Sequence, residues 1–286
     1  MTGNQWTLRG EATIDGPGLF LGRPATVTFK PAPLDHGVAL YRTDLVTDGQ
    51  PARIPALVEN VAYRARRTVL GSGAAAVETC EHVLSAAAGL GIDNLRVEVT
   101  GPELPMTDGS ALPFVEALES AGLQEQDRPR RFLRIREPIT VGTGEIWIQA
   151  MPSDDDVLSV SYDLDYGPTA PIHPQIATHE LVAESYVASI APARTFVLES
   201  ELLALQRDGL CRHLTPRELL VIGPDGPLGG LDYRFPDELA RHKVLDIIGD
   251  LVLLGRPVVG RIRAYRSGHA LNQALVRELG RVVAND

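Results

Sequence analysis

Phe235-Pro236-Asp237-Glu238-Leu239-Ala240-Arg241-His242-Lys243-Val244-Leu245-Asp246-Ile247-Ile248-Gly249-Asp250 is the stretch on which the reading of this chain turns. Pro236 and the acids beside it belong at the positive end of a helix dipole, so a helix is predicted from about Pro236 to Leu254. His242 and Asp246 are four residues apart and share a face of that helix. An imidazole and a carboxylate one turn apart can reach a single metal ion. Asp250, four further on, extends the polar stripe along an otherwise apolar helix, and polar groups buried in line are costly unless something satisfies them. Read alone, the same spacing also fits a solvent-exposed face with an i,i+4 ion pair.

Three other segments carry polar groups in suggestive places. In Glu78-Thr79-Cys80-Glu81-His82-Val83-Leu84, Thr79 is a good N-cap for a helix closed by Gly89 and Gly91. Glu81 and His82 then fall in its first turn, about 100° apart around the axis, so one could ligate a metal while the other addresses a water. An acid in a first turn is also simply good helix design, and Cys80 fits a small buried hydrophobe. Tyr265-Arg266-Ser267-Gly268-His269-Ala270-Leu271-Asn272 sets His269 at a predicted strand-to-helix junction, a common place for site residues and also for surface ones. Ala191-Pro192-Ala193-Arg194-Thr195-Phe196 offers a hydroxyl beside a basic residue, in what is otherwise an ordinary loop.

Outside these segments the first half reads as strands. Gln5–Ile14, Ala25–Phe29, Val38–Tyr41, Val58–Tyr63 and Leu95–Val99 have β character, with a second helix at about Pro113–Ala121. Gln124–Arg131 is polar, charged and without an apolar period, and reads as a linker. Beyond it, strands are expected at Leu133–Ile135, Glu145–Ala150, Leu158–Asp163 and Val259–Tyr265. Helices are expected at Glu199–Asp208 and His269–Leu279, besides the one already described. The fold class is α+β: two similar layered domains, 1–125 and 126–286, each a sheet with helices, with the helices packed between them. Asp154-Asp155-Asp156 is taken as a solvated turn.

Hydrophobic residues make up 44% of the 286, enough for a sizeable interior, and the net charge of −10 argues against nucleic-acid binding. Two distant cysteines, Cys80 and Cys211, form neither a disulfide framework nor a CxxC zinc site. Met1–Gly10 has no signal-peptide pattern, and the longest apolar helical stretch, near Val83–Leu90, is too short for a bilayer. A cytoplasmic monomeric enzyme is expected.

Together these segments resemble the UDP-3-O-acyl-N-acetylglucosamine deacetylases, the zinc amidases of lipid A synthesis. The resemblance also runs through Gly89-Leu90-Gly91-Ile92-Asp93-Asn94-Leu95, Gly101-Pro102-Glu103, Asp108-Gly109-Ser110-Ala111 and Pro113-Phe114-Val115. It implies one zinc per chain, with Fe2+ as an alternative metal in the cell, held by His82, His242 and Asp246 with the fourth position left to water. It further implies Glu81 as general base, His269 as the partner of the leaving group, Asp250 as the residue orienting His269, and Thr195 at the oxyanion. Lys243, Phe196 and Arg266 match positions that hold the substrate, an acylated UDP-sugar. Phe196, Leu198 and the segment to Leu205 are expected to wall an acyl passage. Two stretches depart from the family pattern: Gly18-Leu19-Phe20-Leu21-Gly22, where Gly-Leu-His is usual, and Cys211-Arg212-His213-Leu214, in place of a small Gly-rich run. A related deacetylase with a shifted substrate and a non-catalytic binding paralogue are the alternative readings.

Overall fold

The computed structural model describes residues 3–47 and 49–283. Met1 and Thr2, the start of the stretch read for a signal peptide, lie outside the described residues. Six α-helices occur among the described residues: α1 (Glu81–Gly89), α2 (Leu112–Ser120), α3 (Ala183–Ser189), α4 (Glu199–Arg207), α5 (Glu238–Leu251) and α6 (His269–Val283). None is long and apolar enough to cross a membrane.

Two mixed sheets carry the α+β fold. The first has the spatial order Ala12–Pro17, Pro24–Pro31, Leu95–Val99, Val38–Thr47, Gln50–Pro55, in which only Val38–Thr47 and Leu95–Val99 run parallel. The second runs Ile139–Thr143, Ile146–Met151, Val258–Tyr265, Leu158–Leu164, Gln175–Glu180, with the short strand Leu133–Arg134 parallel to the start of Val258–Tyr265. The alternating pattern of Leu158–Leu164 buries Leu158, Val160, Tyr162 and Leu164 and leaves Ser159, Ser161 and Asp163 half-buried, as a strand with one covered face requires.

One continuous apolar core takes Val27, Phe29 and Val97 from the first sheet and Ile148, Val160 and Ile262 from the second. It also takes Val83 and Leu84 of α1 and Val244 and Ile247 of α5. The two helices meet backbone to backbone. A Cβ at Gly249 would lie 2.2 Å from the carbonyl oxygen of Glu81, so only glycine fits, although glycine inside a helix costs about 1 kcal/mol relative to alanine. This contact brings the first turn of α1 against the middle of α5, where the candidate site residues Glu81, His82, His242 and Asp246 lie.

Several expectations need correction. Thr79 does not cap α1: its φ is +61°, its hydroxyl donates to Glu103 Oε1 at 3.2 Å, and the helix begins only at Glu81. Gln5–Ile14 is two strands, Asn4–Leu8 and Ala12–Pro17, in different sheets. Val58–Tyr63 holds a 3-10 turn (Val58–Asn60) and a two-residue strand paired with Val69–Leu70. Gln124–Arg131 is not irregular: Leu123–Pro129 is a strand paired antiparallel with Asn4–Leu8. It has no apolar period because this strand leaves most of its side chains in solvent. The predicted helix Pro236–Leu254 is α5 followed by a 3-10 turn, Val252–Leu254, stopped by Gly255 at φ +75°.

Candidate active site

Helix α5 aims its i,i+4 stripe inward. His242, Asp246 and Asp250 are all buried, and the solvent-exposed alternative for this face is thereby excluded. His82, in the first turn of α1, completes a group with His242 and Asp246 whose ligand-type atoms lie within 4.8 Å of one another. The two imidazoles stand edge to face, 5.1 Å between centroids.

The protonation states follow from the surroundings. Burial pushes His82 down to about 3, helped by the neighbouring His242, so it is neutral. Burial also lowers His242. His242 Nδ1 lies 3.0 Å from the carbonyl oxygen of Ala193; a carbonyl only accepts, so Nδ1 carries the proton and Nε2 presents a bare lone pair. That lone pair faces Asp246 Oδ1 at 3.4 Å. Asp246 is itself ionised: burial works against this, but Lys243, His242, His269 and His82 together hold its carboxyl below the usual range. Oδ1 of Asp246 is buried with no hydrogen-bond partner among the described residues. A lone pair set against an unpartnered carboxylate oxygen in a dry interior is unfavourable unless a cation lies between them. Two neutral imidazoles and one carboxylate form a donor set suited to a borderline divalent metal such as zinc.

Around this group the other polar side chains form one network. Glu81 Oε2 accepts from the Thr68 backbone N–H at 2.9 Å, and burial pushes its carboxyl up to about 7 against the lowering effect of His269. His269, the first residue of α6, donates from Nδ1 to Asp250 Oδ2 at 2.8 Å. Its Nε2 lies 3.8 Å from both Glu81 Oε1 and Asp246 Oδ2. Burial disfavours its imidazolium, but Asp250, Asp246 and Glu81 outweigh this and raise it to about 9. A carboxylate that gains and loses a proton near neutrality thus sits beside a cationic imidazole, the combination general acid–base chemistry uses.

The remaining predicted residues divide. Lys243 pairs with Asp246 Oδ2 at 2.5 Å. Phe196 is half-buried and meets the His242 ring edge-on at 6.4 Å, so it walls the site. Thr195 is half-buried, its backbone N–H donating to Gly109 O at 2.7 Å. Arg266 is not joined to the cluster by any hydrogen bond or ion pair among the described residues; its guanidinium holds the Asp165 carbonyl (2.5 Å) and Glu145 (3.2 Å). Of the expected acyl wall, Leu202 lies in a second apolar cluster with Phe20, Val197, Cys211 and Leu214, while Leu203 is exposed.

Four supporting residues, Thr68, Asn272, Arg194 and Glu238, are given no role by the sequence alone. Thr68 donates its hydroxyl to Asp250 Oδ1 at 2.5 Å while its N–H holds Glu81. Asn272 Nδ2 donates to Asp250 Oδ2 at 2.9 Å; its i+3 spacing from His269 is the one signal that could have found it. Arg194 forks onto the fully buried Glu238 (Nε to Oε1 2.8 Å, Nη2 to Oε2 3.0 Å) and so fixes the loop that presents the Ala193 carbonyl to His242.

Comparison with known proteins identifies the family of the chain. Residues 5–281 match the family model described as LpxC, UDP-3-O-acyl N-acetylglycosamine deacetylase. The chain belongs to that family. Its members are hydrolases of lipid A biosynthesis, and the chain is one of these deacetylases. It is 41% identical over 280 residues to the UDP-3-O-acyl-N-acetylglucosamine deacetylase of Anaeromyxobacter sp. (strain Fw109-5), covering 96% of this chain and 88% of the relative. It is 40% identical to that of Myxococcus xanthus (strain DK1622), covering 96% and 86%, and 39% identical to that of Pseudomonas entomophila (strain L48), covering 96% and 89%.

Proposed function

We propose that this chain removes acetate from UDP-3-O-acyl-N-acetylglucosamine in the cytoplasm, with one zinc ion held by His82, His242 and Asp246. The observation that carries the metal assignment is the buried, unpartnered Oδ1 of Asp246 facing the bare Nε2 of His242. When bound, zinc supplies a Lewis acid that polarises the acetamide carbonyl and acidifies a water.

The chain's own groups do the rest. Glu81, poised near neutrality, takes the proton of the attacking water. The developing oxyanion is met by the Thr195 hydroxyl. His269, kept cationic and oriented by Asp250, stabilises that charge and hands the proton from Nε2 to the departing amine as the C–N bond breaks. Phe196 walls the site, while Lys243 and Arg266 supply cations for the sugar-nucleotide. Both cations are ion-paired in the structure, so each is expected to exchange a carboxylate for substrate oxygens on binding.

The two large sheets support a division into layered halves with α1 and α5 between them. We set the junction after Pro129 rather than at 125, because Leu123–Pro129 pairs with Asn4–Leu8. A shifted acyl preference within the same chemistry is the second reading. It is favoured by the packing of Phe20 with Cys211 and Leu214 into one apolar cluster, since these are the stretches that depart from the family pattern.

The deciding experiment pairs metal analysis with acetate release from the UDP-linked substrate. About one zinc per chain and loss of activity on chelation are expected. Glu81→Gln should keep the zinc and lose about 10²–10⁴-fold in kcat, and His242→Ala should lose both. Full zinc and full activity in His242→Ala would overturn the site.

A further inference from the structure

A cavity of about 990 Å³ lies apart from the catalytic cluster. It opens at the far ends of the same two helices. Ala88 and Leu90 from α1 and its end, and Ile248 and Leu251 from α5, line its floor. Ala88 is six residues beyond His82, about 9 Å along the axis. The volume and apolar lining are those of a small-molecule site rather than a packing defect.

The charge at its mouth is unusual for this protein. Four arginines and three acids line the cavity. Arg130 is neutralised by Asp93 at 2.8 Å, and Asp35 pairs with Arg128, outside the cavity. Arg53 donates to the Tyr41 hydroxyl (3.1 Å) and the His36 carbonyl (3.4 Å), with no carboxylate. Arg131 and the half-buried Arg256 have no hydrogen bond or ion pair among the described residues. Both line the cleft, each two residues before the parallel pair Leu133↔Val258. Three cations without a carboxylate thus face one uncompensated acid, the exposed Glu184, on a chain whose net charge is −10. Like charges gathered around one apolar cleft are unfavourable until an anion joins them.

We propose that this cleft binds a single-chain amphiphile with a phosphate-monoester head, the alkyl chain on the α1–α5 floor and the head between Arg131 and Arg256. The net excess of two positive charges matches a phosphate monoester, which carries close to two negative charges above its second pKa of about 6. Paired guanidiniums suit its oxygens.

The chain has two tryptophans, and Trp6 lines this cleft. In the Trp147→Phe background, Trp6 fluorescence therefore reports on the cleft and not on the catalytic cluster. Dodecyl phosphate, titrated below its micelle concentration, is expected to give a saturable change. Dodecanoate should bind about tenfold more weakly, and dodecanol or dodecyltrimethylammonium more weakly still. Arg131→Gln/Arg256→Gln should weaken dodecyl phosphate binding about tenfold or more while acetate release stays at the parent rate. Absence of a saturable signal, parent affinity in the double variant, or equal affinity for any of the three comparison amphiphiles would overturn the proposal.

Discussion

Replacing Gly249 by alanine tests the dependence of the site on helix spacing. The added methyl group would stand 2.2 Å from the Glu81 carbonyl oxygen and 3.0 Å from its carbon. Relief requires α1 and α5 to separate by about 1 Å, since contacts involving carbon settle near 3.5 Å. Overpacking costs about 1–3 kcal/mol, while exchanging a helical glycine for alanine returns about 1 kcal/mol, so the net loss of stability is about 0–2 kcal/mol. The chemistry is far less tolerant. Glu81 and His82 ride on α1, and His242 and Asp246 on α5. Metal distances tolerate about 0.2 Å, and a misplacement of about 1 Å costs about a hundredfold in rate. Gly249→Ala should therefore lower acetate release about a hundredfold and weaken zinc against a competing chelator. Its thermal midpoint should fall by only a few degrees. Parent-like zinc affinity and rate in this variant would refute the view that the Gly249 contact sets the site's geometry.

The pH profile of acetate release should rise as Glu81 ionises near 7 and fall as His269 deprotonates near 9, a bound cation moving both limbs lower. Asp250→Asn removes the foremost group holding the imidazolium up, so the alkaline limb should move to lower pH. The linkage has a matching sign: stability owed to the His269 imidazolium is full below about 6.5 and disappears as pH rises through about 9, checked by urea titration across that window. Arg194→Ala leaves Glu238 buried without its guanidinium and should cost about 3–5 kcal/mol in chemical denaturation. Thr68→Val keeps the N–H to Glu81 but removes the hydroxyl bond to Asp250. It should cost about 1.5–3 kcal/mol, with activity reduced and zinc retained.

The parts of the site written within one helix were legible in the sequence. His242, Asp246 and Asp250 follow from a four-residue spacing, and the acid–imidazole pair Glu81-His82 stands out at a helix start. Groups that act across the fold were not. Thr68 meets Asp250 from 182 residues away and Arg194 meets Glu238 from 44 away, so no local pattern announces either. The same limit explains the fold errors. Thr79 has the chemistry of a cap, yet its left-handed backbone and the partner Glu103 are set by tertiary structure. Leu123–Pro129 lacks strand periodicity because most of its side chains face solvent. Helix α3 buries only Tyr186 of its residues and so offers no apolar stripe to read.

The two stretches that depart from the family pattern are not independent changes. Phe20 carries the Arg67 guanidinium 3.9 Å above its ring, and its carbonyl accepts from the Cys211 backbone N–H at 2.8 Å. The His213 ring lies where a side chain on Gly22 would be, 2.4 Å from its Cβ position. A chimera that imports only one of these stretches from a relative would set a foreign loop against a surface shaped for another. Residues 18–22 and 211–214 therefore have to be exchanged as a pair if the packing between them is to be kept.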